Sequence, residues 1–141
     1  MRSGVARRLS TLAVVDLGRR AVAWVKDDPF GVEFAEIDLA PQHLSAEGVA
    51  IGVEPVPYRL DYVLETAVGF VTSRLRVGSR GAGWRRTLDL RRDAAGVWSV
   101  VADEEGDLDL QSAGGDPRSL AGALDCDLGL AGDQFDAGPP P

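Results

Sequence analysis

The sequence predicts an all-β fold, an antiparallel sheet built from consecutive hairpins. Three observations carry that expectation. Tyr58-Arg-Leu-Asp-Tyr-Val-Leu-Glu65 alternates, with Tyr58, Leu60, Tyr62 and Leu64 on one side and Arg59, Asp61 and Glu65 on the other; a period of two decides against a helix. Glycine occurs 17 times and proline 8 times in 141 residues, which suits many short strands joined by turns. No stretch of ten residues competes with the 3.6-residue period of an amphipathic helix.

Residues 1–20 are expected to form a poorly ordered extension. They open with Met1-Arg-Ser-Gly-Val-Ala-Arg-Arg8 and a mildly apolar run from Leu9 to Val15. A cleaved targeting segment is the competing reading, but Asp16 interrupts the run and no small-residue cleavage site follows. Ala21-Val-Ala-Trp-Val25 reads as the first strand, closed by a turn in Lys26-Asp-Asp-Pro-Phe-Gly31. From Val32 to Leu39 the alternation changes phase: Val32 and Phe34 share one parity, Ile37 and Leu39 the other. A β-bulge near Ala35 would bring both pairs to one side.

Residues 40–48 read as a loop, with one helical turn near 41–47, before a strand at 49–53. Glu54-Pro-Val-Pro57 ends that strand, since neither proline can donate to a ladder. After the strand at 58–65 come a strand at 70–77, a glycine-rich hairpin connection at 78–83, and strands at 84–90 and 97–102. Residues 103–106 read as a turn, 108–110 as a short strand and 111–119 as a polar loop. A final strand over 120–130 places Leu120, Leu124, Cys126, Leu128 and Leu130 on one face and Asp125 and Asp127 on the other. The total is seven to nine strands.

The length is that of one domain, and 45% hydrophobic residues suffice for a real core. The longest apolar runs fall far short of a membrane span of ~20 residues. The net charge of -7 is uneven: residues 1–26 carry +5, residues 27–100 carry -3 and residues 101–141 carry -9. An acidic chain matches a phosphate backbone poorly, so nucleic-acid binding is not expected. Cys126 stands alone, which excludes an internal disulfide and fits a reducing, cytoplasmic setting.

Few motifs carry chemistry. Asp125-Cys-Asp127 and Asp107-Leu-Asp109 each could present two carboxylates together, enough for a divalent cation or an acid–base pair, though a solvated strand edge is the commoner meaning. His43 is the only histidine, so a histidine-based metal site or catalytic triad would depend on it alone. Gly78-Ser-Arg-Gly-Ala-Gly83 lacks the Lys-Ser/Thr ending of a phosphate loop. Tyr58, Tyr62, Trp84 and Trp98 are in-phase aromatics spread over three strands, which reads as core packing or as the lining of an apolar pocket. Arg74 and Arg76 share a face and could hold a polar headgroup.

The order of several short segments resembles a known family. These are Val-Ala-Trp-Val at 22–25, Pro-Phe-Gly-Val-Glu at 29–33, Tyr-Arg-Leu-Asp-Tyr at 58–62 and Val-Thr-Ser-Arg at 71–74. Leu-Asp-Leu-Arg-Arg-Asp at 88–93, Gly-Val-Trp at 96–98 and Leu-Ala-Gly-Ala-Leu-Asp-Cys-Asp-Leu at 120–128 complete the set. The chain is similar over about residues 21–130 to a glycolipid-binding family of bacterial proteins, long known only as a domain of unknown function. The resemblance implies a rolled, mostly antiparallel sheet forming an open barrel, with a lipid or glycolipid held in its concavity. It brings neither an enzymatic activity nor a cofactor. By position it marks Tyr62, Arg74, Trp98, Asp125 and Asp127 as ligand contacts.

The chain also departs from that pattern. Family members continue past the Asp-x-Asp-Leu strand with a further turn and a Leu-Pro-Ile-Arg-Arg-like strand, whereas residues 131–141 here form a Gly- and Pro-rich tail. The roll is therefore expected to be incomplete at its C-terminus, through truncation or a frame change near Ala131. Val25 follows Trp24 where the family has a Trp-Arg pair. Two other readings stand beside the binding one: a hydrolase using Asp125 and Asp127, and a structural fragment without independent function.

Overall fold

The computed structural model describes residues 18–110 and 112–124. Its strands are β1 (Arg19–Asp27), β2 (Phe30–Leu39), β3 (Leu44–Gly52), β4 (Tyr58–Thr66), β5 (Thr72–Gly81), β6 (Trp84–Arg92) and β7 (Trp98–Gly106). All seven form one sheet in sequence order, each pair antiparallel. Among the described residues β7 does not return to β1, so the sheet is open. The expected all-β, antiparallel class holds.

Directly opposed residues share a face, and the register therefore sorts the chain into two surfaces. One is the core face. There Leu75, Leu90 and Trp98 are buried together with Leu120, and Tyr62, Leu64, Val77 and Val100 pack around them. Leu120 ends a short 3-10 helix, Pro117–Leu120, whose start Asp116 caps by accepting the Arg118 N–H at 3.0 Å. The segment is tied down further where the Thr72 N–H donates to the Leu124 carbonyl at 2.8 Å. The other face carries most of the charged side chains.

Several local expectations are corrected. No bulge interrupts β2 at Ala35, which pairs in unbroken register with Val22 and Gly48. The change of phase instead marks apolar residues on both faces: Ile37 opposes Ala46 on the core side, and Phe34 opposes Val49 on the other. Residues 44–47 form strand, not loop or helical turn, because Thr66 Oγ1 accepts the Leu44 N–H at 2.8 Å and ties the start of β3 to β4. Helical turns fall at Val68–Phe70 and Pro117–Leu120 instead.

The glycine-rich connection is shorter than expected, since β5 runs on through Gly78 to Gly81 and only Ala82 and Gly83 turn. Residues 103–106 belong to β7, because Glu105 meets Arg85 at 2.7 Å and Glu104 meets Arg86 at 3.7 Å across the β6 ladder. Residues 108–110 are not strand, and Asp107 and Asp109 are exposed in the segment that follows β7. Residues 120–124 are not strand either: the 3-10 turn and Gly122 at φ 84 take Leu120 into the core. The rest of that expected strand, including Asp125, Cys126 and Asp127, lies outside the described residues.

Three cross-strand pairs on the core face set an aromatic ring against a glycine: Tyr62 on Gly48, Tyr58 on Gly52 and Trp84 on Gly81. Glycine leaves the backbone bare, and the ring covers it. The Tyr62 pair matters most, because its ring reaches a third strand. A Cβ on Gly48 would lie 2.5 Å from the Tyr62 ring, so the ring occupies the place of the missing side chain. It crosses β3 and donates its hydroxyl to Glu33 Oε1 on β2 at 2.6 Å.

Gly48→Ala should therefore displace the ring, break the Glu33 bond and destabilise the fold by about 1–3 kcal/mol. Urea unfolding measures this. In a Tyr62→Ala background the same substitution should cost nothing, because the clash is gone and alanine suits a strand better than glycine.

Candidate functional site

On the face opposite the core, an open groove of about 630 Å³ crosses the sheet from β2 to β7. Its side chains come from two adjacent rows of directly opposed residues. The first is Glu36–Glu47–Val63–Arg76–Asp89–Val101, one residue from each of β2 to β7. The second is Phe34–Val49–Asp61–Gly78–Thr87, from β2 to β6. At ordinary strand spacing, six strands span about 24 Å, so a volume of this size is long and shallow. Gly78 leaves open space in the middle of the second row, where nothing lies within 4 Å of a built Cβ.

The groove is mixed in character. Phe34 and Val49 face each other at its β2–β3 end, Val63 sits at the middle and Val101 at the β7 end. Phe34 is 47% exposed and Val101 70% exposed, unusual for apolar groups on a charged face. The four carboxylates of the rows are each matched by an arginine. Arg19 reaches Glu36 and Glu47 at 3.3 Å, Arg59 meets Asp61 at 2.7 Å, and Asp89 takes Arg74 at 2.8 Å and Arg91 at 2.7 Å. Hydrogen bonds from Arg74, and then from Arg91, hold the Asp89 carboxyl well below the usual carboxylate range.

The residues expected as ligand contacts do not gather at this groove. Tyr62 contributes to its floor, but its ring lies on the core face with Gly48 and Glu33. Burial, then the Glu33 hydrogen bond, pushes the Tyr62 phenol well above its ordinary value, so it stays a donor. Arg74 stands one row outside the groove and grips Asp89 through Nε at 3.0 Å and Nη2 at 2.8 Å. Trp98 is 5% exposed on the core face, and its indole N–H donates to the Ala123 carbonyl at 3.2 Å. Asp125 and Asp127 lie outside the described residues. His43 is exposed in the β2–β3 connection.

Arg76, expected beside Arg74 as a possible headgroup contact, does line the groove, while Val63, Gly78 and Thr87 are groove residues that pattern reading did not mark for a site. The available signal was an apolar residue at a polar-face position, Val63 between Asp61 and Glu65, and a glycine in mid-strand. Among the described residues there is no group of three or more His, Cys, Asp or Glu able to hold a metal ion, and no helix long and apolar enough to cross a membrane.

Fold and site together define an all-β protein with one open antiparallel sheet and an amphipathic groove across its strands. The chain belongs to the family described as "Putative glycolipid-binding", whose model matches residues 21–132. No match is found among curated proteins or among solved structures.

Asp89→Asn removes the charge that holds Arg74 and Arg91 side by side and should lower stability by about 1–2 kcal/mol at neutral pH. The folded carboxyl titrates below its unfolded value of about 4, so its contribution is complete above that pH and fades as pH falls below it. Urea unfolding at pH 7 and at about pH 2.5 should show the gap between wild type and variant narrowing at the lower pH. An equal gap at both would contradict the pairing.

Proposed function

We propose that the protein binds a lipid or glycolipid, without catalysis, along the groove across β2 to β7. One observation carries this reading: apolar side chains and arginine-matched carboxylates line a single trough together on the face away from the core. Apolar positions at Phe34, Val49 and Val63 suit a hydrocarbon chain, while the Thr87 hydroxyl and the charged groups suit a hydroxylated or polar headgroup. The long, shallow shape fits an extended molecule. Family membership supports the same class of ligand. The hydrolase reading would need Asp125 and Asp127 converging in a cleft, and both lie outside the described residues.

Native mass spectrometry with lipid extraction of the purified protein tests the proposal, with a fluorescent single-chain lipid titrated alongside. The lipid itself must carry the fluorophore, since Trp24, Trp84 and Trp98 all sit on the core side of their strands. Val63→Glu replaces apolar lining at the middle of the trough with a charged group and should weaken lipid binding by about tenfold or more. Retention of no lipid, together with unchanged titration of V63E, would end the reading.

A further inference from the structure

One charge on the groove has no counterpart. Of the charged side chains in its two rows, Arg76 alone makes no ion pair or hydrogen bond among the described residues, while the four carboxylates are taken up by Arg19, Arg59, Arg74 and Arg91. Its direct cross-strand partners are Val63, which is apolar, and Asp89. Both oxygens of Asp89 are already occupied by the two other arginines: Arg74 donates to Oδ1 at 3.0 Å and to Oδ2 at 2.8 Å, and Arg91 donates to Oδ2 at 2.7 Å. Two residues further along the same face, Gly78 leaves open space, and the Thr87 hydroxyl stands directly across from it. A planar guanidinium beside an empty notch and a hydroxyl is a site for an oxyanion. Val63 and Val49 place apolar surface immediately next to it.

We propose that Arg76 makes the groove selective for amphiphiles with an anionic headgroup, a phosphate, sulfate or carboxylate, over neutral ones of the same chain. The inference rests on the groove being the ligand site. The headgroup oxyanion meets Arg76 over Gly78, with Thr87 donating from β6, and the hydrocarbon runs past Val63 and Val49 toward Phe34. The paired arginines are not available for this role, because releasing any of them leaves a carboxylate unmatched.

The test is an NMR titration of the full chain, reading the Val49 and Val63 methyl signals and the Arg76 Nε–H signal. The probes are dodecyl phosphate, dodecyl maltoside and inorganic phosphate, each below any micelle concentration. Dodecyl phosphate should bind about tenfold more tightly than dodecyl maltoside, with a preference that shrinks as salt is added. Arg76→Gln should bring that ratio close to one, and Arg76→Lys should keep part of it. Arg80→Gln removes the same charge from the same face of β5, outside the groove, and should leave the ratio as in wild type. A ratio near one in wild type, or a ratio that survives R76Q, overturns the inference while the groove reading stands. Inorganic phosphate binding as tightly as dodecyl phosphate overturns it in favour of a free anion. If neither amphiphile moves the Val63 methyls, the groove reading itself fails, and this inference with it.

Discussion

The Tyr62 side chain holds the sheet in the one register on which everything else depends. Its ring lies over Gly48 on β3 and its hydroxyl reaches Glu33 on β2 at 2.6 Å, so a single residue of β4 fixes three strands relative to one another. A slip of one residue would turn every side chain of a strand to the opposite face. The unbroken pairing from β2 to β7 is what lines up Glu36, Glu47, Val63, Arg76, Asp89 and Val101 as one row. The register shifts only at Glu65/Thr66, beyond the groove. Because the Tyr62 ring is laid on the core face, the other face stays open above it.

The charged face solves a problem that its register creates. Glu36 directly opposes Glu47, and Arg74 directly opposes Arg91, and like charges facing each other across strands are destabilising. In each case an opposite charge bridges them: Arg19 between the two glutamates, Asp89 between the two arginines. These exposed or half-exposed pairs add only modestly to stability one by one. Their collective effect is to leave the groove walls close to neutral, so that an apolar chain can lie along them. A trough lined by uncompensated carboxylates would repel both hydrocarbon and an anionic head.

The sequence made the core side legible and hid the groove. Tyr58, Leu60, Tyr62 and Leu64 alternate cleanly because their polar partners, Arg59 and Asp61, really do face solvent. Alternation gives parity, not exposure, so Val63 on the charged face did not stand out and the phase change in β2 read as a bulge. Acidic residues at 103–105 looked like a turn, since nothing local shows that Arg85 and Arg86 wait across the ladder. Residues 120–124 show the same limit. Their alternation is compatible with a strand, but the buried seat for Leu120 beside Leu90 and Trp98 is a tertiary feature. Trp98 and Arg74 were recognisable as structured residues. Which face each occupies depends on pairings that no short motif records.

The central claim is that ligand lies on the Val63 face and not against the core. Paramagnetic relaxation by a single-chain fatty acid carrying a nitroxide near its tail tests this most directly. The account predicts strong broadening of the Val49, Val63 and Val101 methyl signals with Leu75 and Leu90 spared. Broadening centred on Leu75, Leu90 and Leu120, with Val63 unaffected, would contradict it.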